Sequence, residues 1–375
     1  MRRLVSRYDV LVCGVLFACG VGCATGDAAS DDNLDQGVEL TLNLQQQTGK
    51  QLFHSETFKG DGRTCVTCHS DKTGTLSPQQ IAQLVADNPK GPLFRSIDAD
   101  VVGGNTYNRL INDATIRITI PLPPNVSIVG STARSVQLFR GISSTLNTPS
   151  LQTVLMADGR TPTLQAQAAD AVAVHYQPGR TPTSSELDAI ASYEKALFSS
   201  FQLAFFATGG PAPVMPLGRT DSEKRGQKFF VDDATTAVPR CVHCHSGPNL
   251  DTTSPGVQAA FGIPAGLHVF TAFVSQLRTG GGDVLTYAFR DAAGNVTTVQ
   301  SPDPGRALIT GNPADADLFK IPSLWNAKNT APYFHNNGAK TIEELVDHYQ
   351  KMFAALGLTL TDQDKADIAA YQRLL

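Results

Sequence analysis

CVTCHS at residues 65–70 and CVHCHS at 241–246 are almost the same six letters, written twice in one chain, 176 positions apart. Reading outward from them, the repetition widens. GKQLF (49–53) precedes the first unit and GQKFF (226–230) the second, so that Gly49 and Gly226 differ by 177 positions. TPSL (148–151) and IPSL (321–324) follow, and LDAIASY (187–193) and ADIAAYQ (366–372) come last, with Tyr193 and Tyr371 differing by 178. Four landmarks in one order at nearly one spacing predict two copies of one domain.

The chain has 375 residues, enough for two domains that each bury a core. A 41% hydrophobic share, a 17% charged share and a formal charge of -4 are those of a globular protein. They give no electrostatic case for nucleic acid as a partner.

The N-terminus reads as an export signal: three arginines, an apolar run from Val10 to Val21, then small and polar residues. The run is short for a membrane span. Cysteines at its end suit a lipoprotein cleavage site. Cys23 in GVGC is the favoured acylation point, although Gly20 replaces the usual leucine, and LFAC before Cys19 keeps that leucine. Residues 1–23 are then the signal and 24–44 a polar tether.

Of seven cysteines, three (Cys13, Cys19, Cys23) lie in the signal region and the other four in the two C-x-x-C-H units, leaving none for a structural disulfide. In an exported chain, C-x-x-C-H is the attachment signal for c-type haem: two thiols for the two vinyl groups, and a histidine for the iron. Cys65, Cys68 and His69 would hold one haem; Cys241, Cys244 and His245 the other. Zinc sites built from paired C-x-x-C units usually bring their halves within about twenty residues. A thioredoxin-like pair needs a βαβ context that neither unit has. His243, between two of these cysteines, is expected to be exposed.

Local signals predict a mainly α fold. Ser77 with Gln80, Thr183 with Glu186, Thr220 with Glu223 and Thr341 with Glu344 read as capping boxes that open helices. Two β-rich stretches, 114–129 and 267–300, read as insertions forming ribbons or loops, the second with a turn at Asn295. Two tandem cytochrome c-type haem domains are expected at 45–205 and 218–375, joined by a linker at 206–217.

The order C-x-x-C-H, NTPSL, DGR, C-x-x-C-H, DPGRALITG and FKIPSLWNAKNTAPYFHNNGAKTIEELVDHY resembles the bacterial dihaem cytochrome c peroxidase superfamily, including the MauG enzymes that oxidise a protein substrate. The resemblance covers most of the chain after the signal and implies two covalent haems. It implies a distal ligand to the C-terminal haem from the helix after PYFH, methionine in the peroxidases and tyrosine in MauG. Tyr349 matches that position; Met352, one turn on, or no ligand at all stays open. An anionic oxygen donor favours oxidised iron, whereas methionine raises the potential. The resemblance also implies a calcium ion held by the Asn147 side chain and the backbone carbonyls of Thr330 and Pro332. His335 is implied as a hydrogen-bond partner near the C-terminal haem.

The N-terminal haem is where the resemblance places hydrogen peroxide, and there the chain departs from its relatives. From Ser70 to Asp170 it has no histidine to act as a switchable ligand. Gln167 matches the family's glutamine, but Gln177 stands where a glutamate is expected and Ala157 where a tryptophan lies between the haems. Cleavage of O–O needs an acid–base group near the iron, and His175 is the nearby candidate, with a solvated helix-end histidine as its plain alternative. The expected function is a periplasmic, lipid-anchored dihaem cytochrome, more in keeping with the outer than the inner membrane. It would reduce hydrogen peroxide, or oxidise a partner protein, with electrons exchanged with a small redox protein. A dihaem electron-transfer protein without peroxidase activity is the alternative, and a homodimer stays open. If the units carry haem c, protein made without export will lack covalent haem. Stable covalent haem in such material would contradict the assignment.

Overall fold

The computed structural model describes residues 38–39, 41–101, 103–231, 239–261, 270–271, 283–355 and 357–375. Cys13, Cys19 and Cys23, most of the tether and His268 lie outside the described residues, as does much of the second β-rich stretch. Among the described residues no helix is long and apolar enough to cross a membrane.

The described chain is mainly helical. In order, the first half contains β1 (Val38–Glu39), α1 (Leu44–Ser55), α2 (Pro78–Asp87), α3 (Asn108–Asp113), β2 (Thr115–Pro121), β3 (Val126–Ile128), β4 (Ser135–Gly141), α4 (Thr148–Leu151), α5 (Leu164–His175), α6 (Ser184–Glu194), β5 (Leu197–Phe198) and α7 (Phe201–Ala207). The second half contains α8 (Asp221–Gln227), α9 (Pro255–Phe261), β6 (Phe270–Thr271), β7 (Leu285–Arg290), β8 (Val296–Ser301), α10 (Ala307–Thr310), β9 (Phe319–Lys320), α11 (Ile342–Ala355) and α12 (Asp362–Gln372). Capping explains where several of these helices begin. Ser77, Thr183 and Thr220 each accept a backbone N–H while the glutamine or glutamate three residues on reaches back, an arrangement in which the cap contributes about 1 kcal/mol. At α11 the reach-back differs: Thr341 accepts from Glu344 N, but the Glu344 carboxylate accepts from Lys340 N. Asn43 with Gln46 and Thr361 with Asp364 add two boxes.

One helix crossing occurs twice. At Gly49 on α1 a Cβ would stand 1.9 Å from the Ala189 carbonyl oxygen on α6; at Gly226 on α8 it would stand 1.9 Å from the Asp367 carbonyl oxygen on α12. Tyr193 and Tyr371 close the two crossings from the same side, each packed on a phenylalanine, Phe53 at 5.4 Å and Phe230 at 5.1 Å between ring centroids. The second crossing is further tied by Asp367, whose buried carboxylate accepts from Arg225 and Ser222 and is held down to a pKa of about 2 by the guanidinium.

The β-rich insertions are more than loops. β2 pairs antiparallel with β4, from Thr115↔Gly141 to Pro121↔Ser135. The second insertion supplies the hairpin β7–β8, turning at Asp291–Asn295. β3 of the first insertion pairs with β7 of the second, Val126 opposite Phe289 and Ile128 opposite Tyr287. Ile118, Val136, Leu138, Tyr287, Phe289 and Leu308 are buried together there, so the two halves of the chain share one apolar core. Within the stretch expected to be a polar tether, 24–44, residues 38–39 form β1, which pairs antiparallel with β5, Val38 opposite Phe198.

Gly49→Ala and Gly226→Ala each force two helices apart, and each is expected to cost about 1–3 kcal/mol, measured by urea unfolding of the haem-loaded protein. Unaltered midpoints would contradict the close approach.

Candidate haem sites

Both C-x-x-C-H units fold into the same turn. Cys65–Thr67 and Cys241–His243 are single 3₁₀ turns, with His69 N–H donating to the Cys65 carbonyl (3.0 Å) and His245 N–H to the Cys241 carbonyl (2.9 Å). Each histidine then reaches five residues on: His69 Nδ1 lies 2.7 Å from the Gly74 carbonyl oxygen and His245 Nδ1 2.8 Å from that of Leu250. A carbonyl only accepts, so Nδ1 carries the proton and Nε2 is left as the basic nitrogen of each ring. Gly74 and Leu250 both have positive φ (68° and 52°), which turns their carbonyls back onto the rings. At Gly74 no side chain fits, because a Cβ would meet Thr145 N at 2.6 Å.

Burial holds both imidazoles below the ordinary histidine range, so they are neutral and fit to ligate metal. Burial also pushes the four thiols up, to about 12 for Cys65, Cys68 and Cys241 and about 11 for Cys244. Redox-active C-x-x-C pairs and zinc ligands need the thiolate, favoured by the opposite shift. None of the four cysteines is in a disulfide. A single cavity of about 990 Å³ is lined by both units. Phe53 and Ile190 wall it near the first; Val346, Phe353 and Ile368 near the second. Paired protonated thiols, a neutral imidazole with a basic Nε2, and apolar walls fit a covalently attached macrocycle whose iron the histidine of each unit would hold.

Near the first unit, Gln167 and His175 of α5 both line the cavity. His175 is the last residue of α5, and burial lowers its pKa to about 4. Arg63 and Asp98, paired at 2.6 Å, face the same space. Gln177 does not line it: two residues past His175, with φ 48°, it is exposed. Ala157 lines the cavity and its carbonyl accepts from Lys320 N.

Near the second unit, Tyr349 and Met352 of α11 line the cavity and pack on one apolar cluster with Cys241. Burial, with the Cys244 and Cys241 thiols close by, drives the Tyr349 phenol far above its ordinary value. His335 is stacked on Phe319 at 3.6 Å between centroids, with Nε2 3.7 Å from Asp303 Oδ2 and, among the described residues, no hydrogen bond at either nitrogen. Arg140 grips Asp303 with two bonds (2.7 and 2.9 Å) and Asp158 with a third, linking the halves beside it. His243, expected to be exposed, is buried; its turn packs against 251–254, and its carbonyl accepts from Ser254 N.

Asn147, Thr330 and Pro332, the residues implied for calcium, all line the cavity. The Asn147 amide is already engaged: Oδ1 accepts from Ser199 N and Nδ2 donates to Ser199 Oγ, both at 2.8 Å.

Two site residues escaped the sequence. Glu194, the last residue of α6, is 5% exposed, lines the cavity beside Cys65, has no hydrogen-bond partner at Oε2 among the described residues, and is pushed up to about 8 by burial. Tyr176 donates from its hydroxyl to Cys65 Sγ at 3.3 Å. The internal repeat held a signal for the first, since Tyr193-Glu194 matches Tyr371-Gln372; nothing marked the second.

No family model matches the chain. It is 25% identical over 339 residues to the cytochrome-c peroxidase IdrP1 of Pseudomonas sp. (strain SCT), covering 86% of this chain and 78% of that protein. It is 24% identical over 354 residues to the cytochrome-c peroxidase IdrP2 of Denitromonas iodatirespirans, covering 93% and 84%. In fold it is similar to a crystal structure of a MauG-like protein associated with microbial copper homeostasis, with a TM-score of 0.50, 20% identity and 90% of each chain covered. Two like turns opening on one cavity and relatives matched over most of its length support the cytochrome c peroxidase/MauG superfamily for this chain.

Proposed function

We propose that this is an exported, lipid-anchored periplasmic dihaem cytochrome that reduces hydrogen peroxide at its first haem site with electrons delivered through the second. The observation that carries this is the single cavity joining both C-x-x-C-H turns, with His175 on its wall near the first. The repeated helix crossing and repeated turn support two tandem haem domains, 45–205 and 218–375. A small soluble redox protein is the fitting donor, because H2O2 + 2e⁻ + 2H⁺ → 2H2O needs two electrons that the chain does not make.

Haem, once bound, supplies the redox chemistry of O–O cleavage. The chain's own residues supply the rest. His69 and His245 would hold the iron through Nε2, each ring fixed by its Nδ1–H bond. His175, neutral at physiological pH, would offer a basic nitrogen on the cavity wall that could take up a proton from peroxide and give it back. Gln167 offers an amide donor on the same wall. Tyr349 would offer its phenol oxygen to the iron of the second site, with Met352 within one turn of it. A calcium ion at Asn147, Thr330 and Pro332 would use carbonyl oxygens, with water completing its shell.

The second reading is an electron-transfer cytochrome without peroxide chemistry. The exposure of Gln177 and the small Ala157 favour it, since neither supplies the acid or the aromatic bridge of the relatives.

Peroxide consumption, followed with a reduced small c-type cytochrome as donor, decides between them. His175→Ala is expected to lower the rate at least about 100-fold with both haems still attached. No consumption by the unaltered protein, while both haems exchange electrons with the donor, would establish the second reading. Glu194 gives a separate pH signature. Its folded pKa, about 8, lies above the ordinary 4.5. The folded state therefore binds more protons between these values, and stability is lost as pH rises through about 8. Glu194→Gln is expected to flatten that decline and to raise stability at pH 8 by a few kcal/mol. A variant that unfolds with the unaltered protein's pH profile would contradict this assignment.

A further inference from the structure

Lys320 closes β9 just before the Ile321–Leu324 segment, and its side chain lines the cavity. Nζ donates to Gln152 Oε1 at 2.7 Å and to the Val154 carbonyl at 3.0 Å, both from the first half of the chain. Among the described residues it forms no ion pair. The nearest anion its charge feels is Asp251, held one link away: Asp251 Oδ2 accepts from Gln152 Nε2 and from Asn249 Nδ2, each at 2.8 Å. An ammonium carries three donors, so one remains. A cation taken out of water is costly unless an anion meets it. The position is fixed from both sides, since the Lys320 backbone N–H also bonds the Ala157 carbonyl at 2.8 Å. Two residues on, the Pro322 backbone faces His245.

The haem assigned to the second unit brings two carboxylates of its own into this cavity, its propionates. We propose that Lys320 is the cationic partner of a propionate of the His245 haem, and that Gln152, braced on Asp251, is the residue that aims it. This rests on the haem assignment above. Burial lowers the lysine's proton affinity to a pKa of about 8 before any haem is counted, and an adjacent carboxylate raises it again. A positive charge held there disfavours the ferric, more positive, state. Lys320 thus sets a potential, and through Gln152 it makes that potential depend on the contact between the two halves.

The experiment is a spectroelectrochemical titration of the holo-protein and its Lys320→Gln, Lys320→Met and Lys320→Arg variants, with resonance Raman spectra of the propionate bending modes. Haem content is checked by pyridine haemochrome. Lys320→Gln and Lys320→Met are expected to keep two haems, to shift one propionate mode, and to lower one midpoint potential by about tenfold in the reduction equilibrium, ~59 mV. Lys320→Arg keeps the charge and is expected to stay near the unaltered potential. If either neutral variant fails to load haem, the other carries the comparison with arginine. Unchanged potentials and propionate modes in a neutral variant with both haems would overturn the proposal alone and leave the lysine to solvent. An unaltered protein without covalent haem would overturn the haem assignment itself.

Discussion

Two helices can cross at backbone contact only where one of them carries no side chain at the crossing point, and this chain meets that constraint at Gly49 and Gly226. Each glycine lets a carbonyl of a later helix of its half, α6 for Gly49 and α12 for Gly226, sit where a Cβ would be. Tyr193 and Tyr371 then fall into register beside it. The crossing places the end of α1, with Phe53, beside the first C-x-x-C-H turn, and α12, with Ile368, on the cavity wall of the second. What each cavity wall presents follows from there: apolar side chains around a buried imidazole whose Nδ1 proton is already spoken for.

The halves are held together by other means. β3 and β7 come from different halves and pair within one sheet, so neither insertion can leave without exposing the shared core of Val126, Tyr287 and Phe289. Beside that core, Arg140 joins Asp158 of its own half to Asp303 of the other in a buried ion network. Such a network costs desolvation and adds little net stability. It does make one arrangement of the halves much better than its neighbours, because separating them would leave a buried charge alone. The Lys320–Gln152–Asp251 chain works in the same way.

Much of this was legible in the sequence where chemistry is local. A Thr–x–x–Glu pair caps a helix through bonds spanning three residues, and C-x-x-C-H closes its turn through bonds spanning four. Pairing across halves was not legible. β4 carries the alternating SVQLFRG pattern, but nothing in 114–129 says which strand it will face, and the β3–β7 match depends on the fold that brings the halves together. His243 was misjudged because its neighbours alone suggest exposure; burial came from residues 251–254 packing back on the turn. Glu194 was missed because a glutamate at a helix end ordinarily reads as surface. Only its match to Gln372 hinted that the position faces inward.

The site therefore differs from a surface histidine with cysteines nearby in one respect that chemistry can test: each of the four described thiols is half-buried, held protonated and set beside a neutral imidazole on one large, mostly apolar cavity. The most direct measurement is the intact mass of the exported protein after denaturation and acidified-solvent extraction, which removes haem that is not covalently held. Two haems retained per chain are expected, falling to one when both cysteines of either unit are replaced. A chain that retains none, or that keeps two after one unit is removed, would contradict the account.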